Sequence, residues 1–287
     1  MSGHFGDRMA GDGMSCNRGD SEKRALSLVK EGLFGTISAN DPVCDSRCMF
    51  GFNSDEADCF AGFLSSLAPN ANLSLFPDFV SPDGFIEHFR VSASSGKGGG
   101  SKYFERQSEI KKQVEGMVEE LYSSTNEEDG LFSTLSAAYV QPDAKYWDFA
   151  NSFKRSWRKH MESRSKYLEQ DASPRHQAFL VEMSQFGLEM FEIINIDGLD
   201  DRCFGDLYEP EHLNNYRLSR DRYLLSWILE NADGINYVIF LSADRLVEVI
   251  HVPMIPTLIK FLRWDYCIMG SRVVEMHSVG NVLTTVD

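Results

Sequence analysis

Apolar positions recur along this chain in two rhythms, one near the 3.6-residue period of a helix and one of short unbroken runs, and their order predicts the elements. Residues 21–35 carry Ala25, Leu26, Leu28, Val29 and Leu33 on one side of an amphipathic helix, with Gly32 or Gly35 near its stop. Residues 54–67 predict a second helix. Ser54 stands as its N-cap, Asp55 and Glu56 suit the positive end of its dipole, and Pro69 ends it. Two strands follow over 76–80 and 85–92, joined by a tight turn at Ser81-Pro82-Asp83-Gly84. Residues 102–122 predict a long charged helix. Residues 146–167 predict another, with Phe149, Phe153, Trp157 and Met161 four apart on one face. A strand over 178–183 leads into an acidic segment that reads as a surface loop with short helical turns. Residues 218–231 form a helix begun by Ser219 or Asp221. A continuously apolar strand over 235–242 then turns into a partner over 247–252. Pro253 and Pro256 introduce a helix to about 264, and 273–286 suggest a further hairpin around Gly280-Asn281.

Helices alternating with strands predict an α/β fold, a mixed central β-sheet flanked by helices, in one domain over 21–287. Residues 1–20, rich in Gly, Ser, Asp and Arg, read as a flexible arm. No apolar run approaches the roughly 18–20 residues of a membrane span, and the first residues lack the apolar core of a secretory signal, so the expected compartment is the cytoplasm. The six scattered cysteines agree with that compartment. Cys44, Cys48 and Cys59 read as free thiols or as three loosely spaced zinc ligands.

The formal charge of −15 argues against a protein that coats nucleic acid through its overall field. Its distribution changes the picture. Residues 145–175 are basic, and Lys154, Arg155, Arg158 and Lys159 fall on the sides of their helix away from the aromatic row. They suit contact with phosphates or make a solvated face. Residues 182–211 are acidic and suit a basic protein partner.

The chemistry concentrates in the hairpin. Asp78 and Glu87 each interrupt an apolar run, and acids on adjacent strands make a natural site for a divalent metal. Alternation puts Glu87, Phe89 and Val91 on one face of the second strand and Ile86, His88 and Arg90 on the other, so His88 reads as a packing or hydrogen-bonding residue. As structural residues, Asp78 caps the strand end and Glu87 is a buried partner of Arg90, Arg106 or a histidine. The glycine-rich loop at 94–101 lacks the spacing of a Walker motif and reads as a linker or a mobile loop.

Pro77-Asp78 followed by Glu87-His88-Phe89, in the order helix, Asp strand, Glu strand, helix, strand, resembles the PD-(D/E)XK nuclease superfamily. Phe89 stands where that family has lysine. The resemblance implies a restriction-endonuclease-like core at about 54–122 with a sheet extension at about 178–264. It also implies Mg²⁺ or Mn²⁺ held by Asp78 and Glu87, and hydrolysis of DNA or RNA, with an association with defence against foreign nucleic acid. Glu56 is then a candidate third carboxylate, and Lys97 or Lys102 a candidate replacement for the missing ammonium. A homodimer is compatible with this expectation. The alternative is a catalytically inactive nuclease-fold adaptor or partner subunit that binds another protein through its acidic surface.

Overall fold

The computed structural model describes residues 18–34, 49–72, 75–93, 109, 112–113, 116, 134–140, 145–169, 176–183, 188–194, 203–206, 216–242, 246–262, 265–270 and 273–280. The first helix, α1 (Arg18–Phe34), starts within the stretch expected to be a flexible arm and turns Ala25, Leu26 and Val29 inward. Helix α2 (Ser54–Ser66) is capped by Asn53 rather than Ser54. The Asn53 side chain accepts from Glu56 N at 2.9 Å and Glu56 Oε2 accepts from Asn53 N at 3.0 Å, a reciprocal box that satisfies two helix-end donors. Asp221, as expected, caps the α4 helix (Arg222–Asn231) by accepting from Leu224 N. The α3 helix (Tyr146–Leu168) and the α5 helix (Ile255–Phe261) lie as expected, with α5 ending short of the expected 264.

The central sheet has seven strands. They are β1 (Met49–Phe50), β2 (Ala68–Pro69), β3 (Phe79–Ser81), β4 (Gly84–Val91), β6 (His176–Met183), β9 (Tyr237–Leu241) and β10 (Val247–His251), in the spatial order β1-β10-β9-β6-β4-β3-β2. The β4/β6, β6/β9 and β1/β10 pairs are parallel and the rest antiparallel, so the sheet is mixed. The β4 and β6 strands run side by side through α3, the crossover that parallel neighbours require. Their approach is close: a Cβ on Gly84 would lie 1.9 Å from the His176 carbonyl oxygen, so no larger residue fits that position.

Alternation along the strands builds a core on each face. Phe89, Phe179, Val181 and Phe240 meet Phe149, Phe153 and Trp157 of α3 and Leu224 and Ile228 of α4. Ile86, Ala178, Leu180 and Ile239 meet Ala25 and Val29 of α1 and Phe60 and Leu64 of α2. Trp157 is fully buried, edge-on to Phe179 at 4.7 Å, and its indole N–H donates to the Asn231 carbonyl at 2.9 Å. Burying a side chain of this size contributes about 3 kcal/mol, and the satisfied N–H avoids the desolvation cost of a lone donor.

The sequence pattern misses several pairings. The acidic segment is not only loop: β7 (Leu188–Ile194) and β8 (Cys203–Asp206) form a three-stranded antiparallel sheet with β11 (Asp265–Gly270). The C-terminal β12 (Val273–Gly280) pairs with β5 (Thr134–Val140), an element the pattern does not predict, and the far half of the hairpin expected around Gly280-Asn281 lies outside the described residues. The β1 strand, two residues long, carries too little pattern to be read. The helix expected over 102–122 lies almost wholly outside the described residues, and Glu109, Lys112, Gln113 and Gly116 are helical. Among the described residues no helix is long and apolar enough to cross a membrane.

Candidate metal site

Asp78 sits one residue before β3, directly beyond the Phe79–Ile86 pair, so it faces Glu87 where the two-strand ladder ends. There the side chains take over from the backbone. Glu87 Oε2 accepts the Asp78 N–H at 3.1 Å, and Asp78 Oδ2 accepts the His88 N–H at 2.8 Å. Both acids are buried, at 3% exposure. The other oxygen of Glu87 lies 2.6 Å from His160 Nδ1 on α3. The buried partner of Glu87 is thus a histidine, while Arg90 Nε pairs with Glu182 at 2.8 Å.

The alternation read from the sequence holds. Glu87 and Phe89 both face α3, and the Phe89 ring lies nearly parallel to the His160 ring, 4.8 Å away at 17°, with Phe153 and Phe179 edge-on behind it. A stacked imidazole therefore occupies the side of Glu87 where the family resemblance places an ammonium. On the opposite face, toward α1, His88 Nε2 is 2.9 Å from Glu182 Oε2.

Asp78 connects the two faces because it lies off the end of its strand. Ligand atoms of Glu22, Asp78 and His88, all three buried, lie within 4.8 Å of one another. A cation about 2.0–2.2 Å from each ligand holds three donors about 3–4 Å apart, so this group closes on a metal by side-chain movements of up to about an ångström. The electrostatics favour a cation. Burial, then the neighbouring Glu87 charge, push the Asp78 carboxyl from 3.8 to about 6, against the opposing His88 backbone hydrogen bond and His88 charge. Burial also pushes Glu182 upward, but hydrogen bonds from His88 and Arg90 outweigh it and hold that carboxyl below its ordinary value.

The structure brings Asp78 and Glu87 together as expected and replaces Glu56 with Glu22. The Glu56 carboxylate is engaged in capping α2 and otherwise approaches His251 Nδ1, at 3.9 Å. Lys97 and Lys102 lie outside the described residues. On α3, Arg155, Arg158 and Lys159 are exposed, whereas Lys154 is half-buried and donates to the Tyr223 hydroxyl at 2.7 Å. Cys59 Sγ stands 3.6 Å from His176 Nε2, while Cys44 and Cys48 lie outside the described residues.

Two members of the site were missed, and both left a signal. Glu22 precedes Ala25, Leu26 and Val29 by three, four and seven positions, which puts a carboxylate on the buried stripe of α1. A row spaced by four advances about 40° per step around a helix, so the inward face of α3 drifts from Met161 toward His160, seven residues after Phe153. Comparison with protein-family models, with curated proteins and with solved structures returned no match.

Proposed function

We propose that the protein is a restriction-endonuclease-like phosphodiesterase that works on DNA or RNA with a divalent cation, Mg²⁺ or Mn²⁺. The observation that carries this reading is the buried group of Glu22, Asp78 and His88, with Glu87 beside it, at the hairpin between α2 and α3. The order α2, β3, β4, α3, β6 among the elements that pack on the hairpin, with β2 and β5 intervening in the chain, supports it, because it matches the order of helix, Asp strand, Glu strand, helix and strand in the family the hairpin resembles. Carboxylate oxygens are the donors that hard cations take, and the imidazole inclines the set toward Mn²⁺. A cation bound there supplies charge neutralisation at phosphoryl oxygens and an activated water. The chain's own groups fix the geometry. His160 and the Asp78 N–H each hold one oxygen of Glu87, and the His88 N–H holds Asp78.

Calorimetric titration with Mn²⁺ and cleavage of a mixed DNA and RNA panel test the reading together. Wild type binds Mn²⁺, Glu22→Ala and Asp78→Ala abolish binding, and Asp78→Ala and Glu87→Ala abolish cleavage. Metal-dependent cleavage that survives both Asp78→Ala and Glu87→Ala overturns the site.

One observation favours a second reading, a member of the same fold that binds without cutting. Phe89 is buried core rather than a cation, and each acid is already tied to a backbone N–H of the facing strand. Mn²⁺ binding without cleavage of any strand in the panel selects this reading.

A further inference from the structure

Helices α3 and α4 lie side by side on the face of the sheet that carries Glu87, and the surface between them alternates rings and cations. Trp147 is 59% exposed and meets Tyr223, 46% exposed, edge-on at 5.2 Å. Two turns further along α3, the Lys154 ammonium lies 4.0 Å from the centre of the Tyr223 ring and 5.3 Å from that of Trp227. Four residues on, the Arg158 guanidinium lies 5.6 Å from the Trp227 ring centre. At the Trp147 end the row opens into a pocket of about 400 Å³ walled by Tyr146, Trp147, Arg220, Arg222, Tyr223 and Tyr266. Asp221 also lines it, but this carboxylate is 2% exposed and accepts from the hydroxyls of Tyr146 and Tyr216 and from Leu224 N. Its charge is directed into the fold rather than into the pocket.

We infer that this pocket and the ring-and-cation row leading from it bind single-stranded nucleic acid, with a base stacked on the exposed Trp147 ring, which Tyr223 braces edge-on, and the following phosphates met by Lys154 and Arg158. Exposed rings separated by cations match the two faces of a single strand. Bases stack on aromatic rings whatever their identity, and the phosphates between them need positive charge at the same spacing. A duplex keeps its bases stacked on one another and has no free ring face to offer Trp147. The row also resolves how an acidic chain meets a polyanion, because the positive groups are local and interleaved with rings rather than spread over the surface. From Trp147 to His160 is about 20 Å along α3 at 1.5 Å per residue, so one helix spans the pocket and the acid group. The inference deepens the nucleic-acid reading of the proposed function but rests on separate residues, and its test contains no metal.

The experiment is fluorescence anisotropy with labelled oligothymidylate of roughly 12 nucleotides, within the span one single-strand site covers, in EDTA at low salt. Thymidine monophosphate, a duplex of the same length and an acidic peptide serve as the other probes. Wild type should bind the single strand, and Trp147→Leu and Tyr223→Leu should each weaken binding roughly tenfold, the loss of one stacked base. Arg158→Gln should weaken it less and lower its salt dependence. Trp147 is exposed, so Trp147→Leu keeps the wild-type melting temperature, and Lys154→Gln gives a second readout if Tyr223→Leu does not fold. Four results overturn the inference: no binding of the single strand, unchanged binding by both ring variants, duplex or peptide bound as tightly as the single strand, or the mononucleotide bound as tightly as the oligomer. Because EDTA removes divalent ions, failure of the metal site leaves this result standing, and failure here leaves the Mn²⁺ titration unaffected.

Discussion

At neutral pH the Asp78 carboxylate works against its own surroundings, because its folded value, about 6, lies above the ordinary 3.8. The folded state therefore holds this proton more tightly than the unfolded chain does. The stability that follows is present in full below about 3.8 and is lost as pH rises through about 6, a difference that corresponds to about 3 kcal/mol. Asp78→Asn keeps an oxygen for the His88 N–H and removes the charge. Urea denaturation should show the variant more stable than wild type by about 1–3 kcal/mol at neutral pH, with the gain gone near pH 4. A gain independent of pH, or none, contradicts the burial of an ionised Asp78. Phe89 gives the opposite lesson. Phe89→Lys restores the residue type of the resembled family but sets an ammonium against His160, Phe153 and Phe179. Thermal melts should show a loss of about 3 kcal/mol or more, and cleavage should not increase. At this scale Asp78, Glu87 and the position of Phe89 were legible because strand alternation is local. Glu22 and His160 were harder to read, since each reaches the site from a helix whose docking angle the sequence does not state.

Among the elements, the β3–β4 hairpin was the easiest to read. Ser81-Pro82-Asp83-Gly84 announces its turn, and its last residue is also where β4 meets β6. Gly84→Ala sets a methyl group against the His176 carbonyl, which the parallel ladder holds in place, so the strands must part. Chemical denaturation should report a loss of at least about 2–3 kcal/mol, near the top of the usual overpacking range. Asn53→Ala removes one half of the α2 capping box and should cost about 1 kcal/mol in the same assay. The β7 strand escaped the sequence reading for a different reason. Glu189 and Glu192 interrupt Leu188–Ile194, and the strand that completes it, β11, lies about 75 residues later in the chain. Charge density there outweighed a two-residue alternation that only a distant partner makes meaningful.

For the whole molecule, the seven-stranded mixed sheet with helices against both faces follows from the alternation of patterns, while the two small sheets depend on pairings that no local pattern shows. The formal charge of −15 and the cations of α3 make opposing contributions to meeting a polyanion, and salt separates them. If Arg155 and Arg158 each neutralise a phosphate, the Arg155→Gln/Arg158→Gln pair should lower the slope of log affinity against log salt by about 1.4 for a single strand. An unchanged slope, measured by the same anisotropy titration across a salt series, assigns both arginines to solvent.

Among the described residues the main sheet ends on each side in a strand of only two residues, β1 at one border and β2, with Pro69, at the other. A short border with a proline offers an incoming strand almost no row of free amides and carbonyls to copy. The interior strands can therefore be as apolar as Tyr237-Val238-Ile239-Phe240-Leu241 without seeding ribbon growth from the folded state, and that protection fails only when the borders unravel.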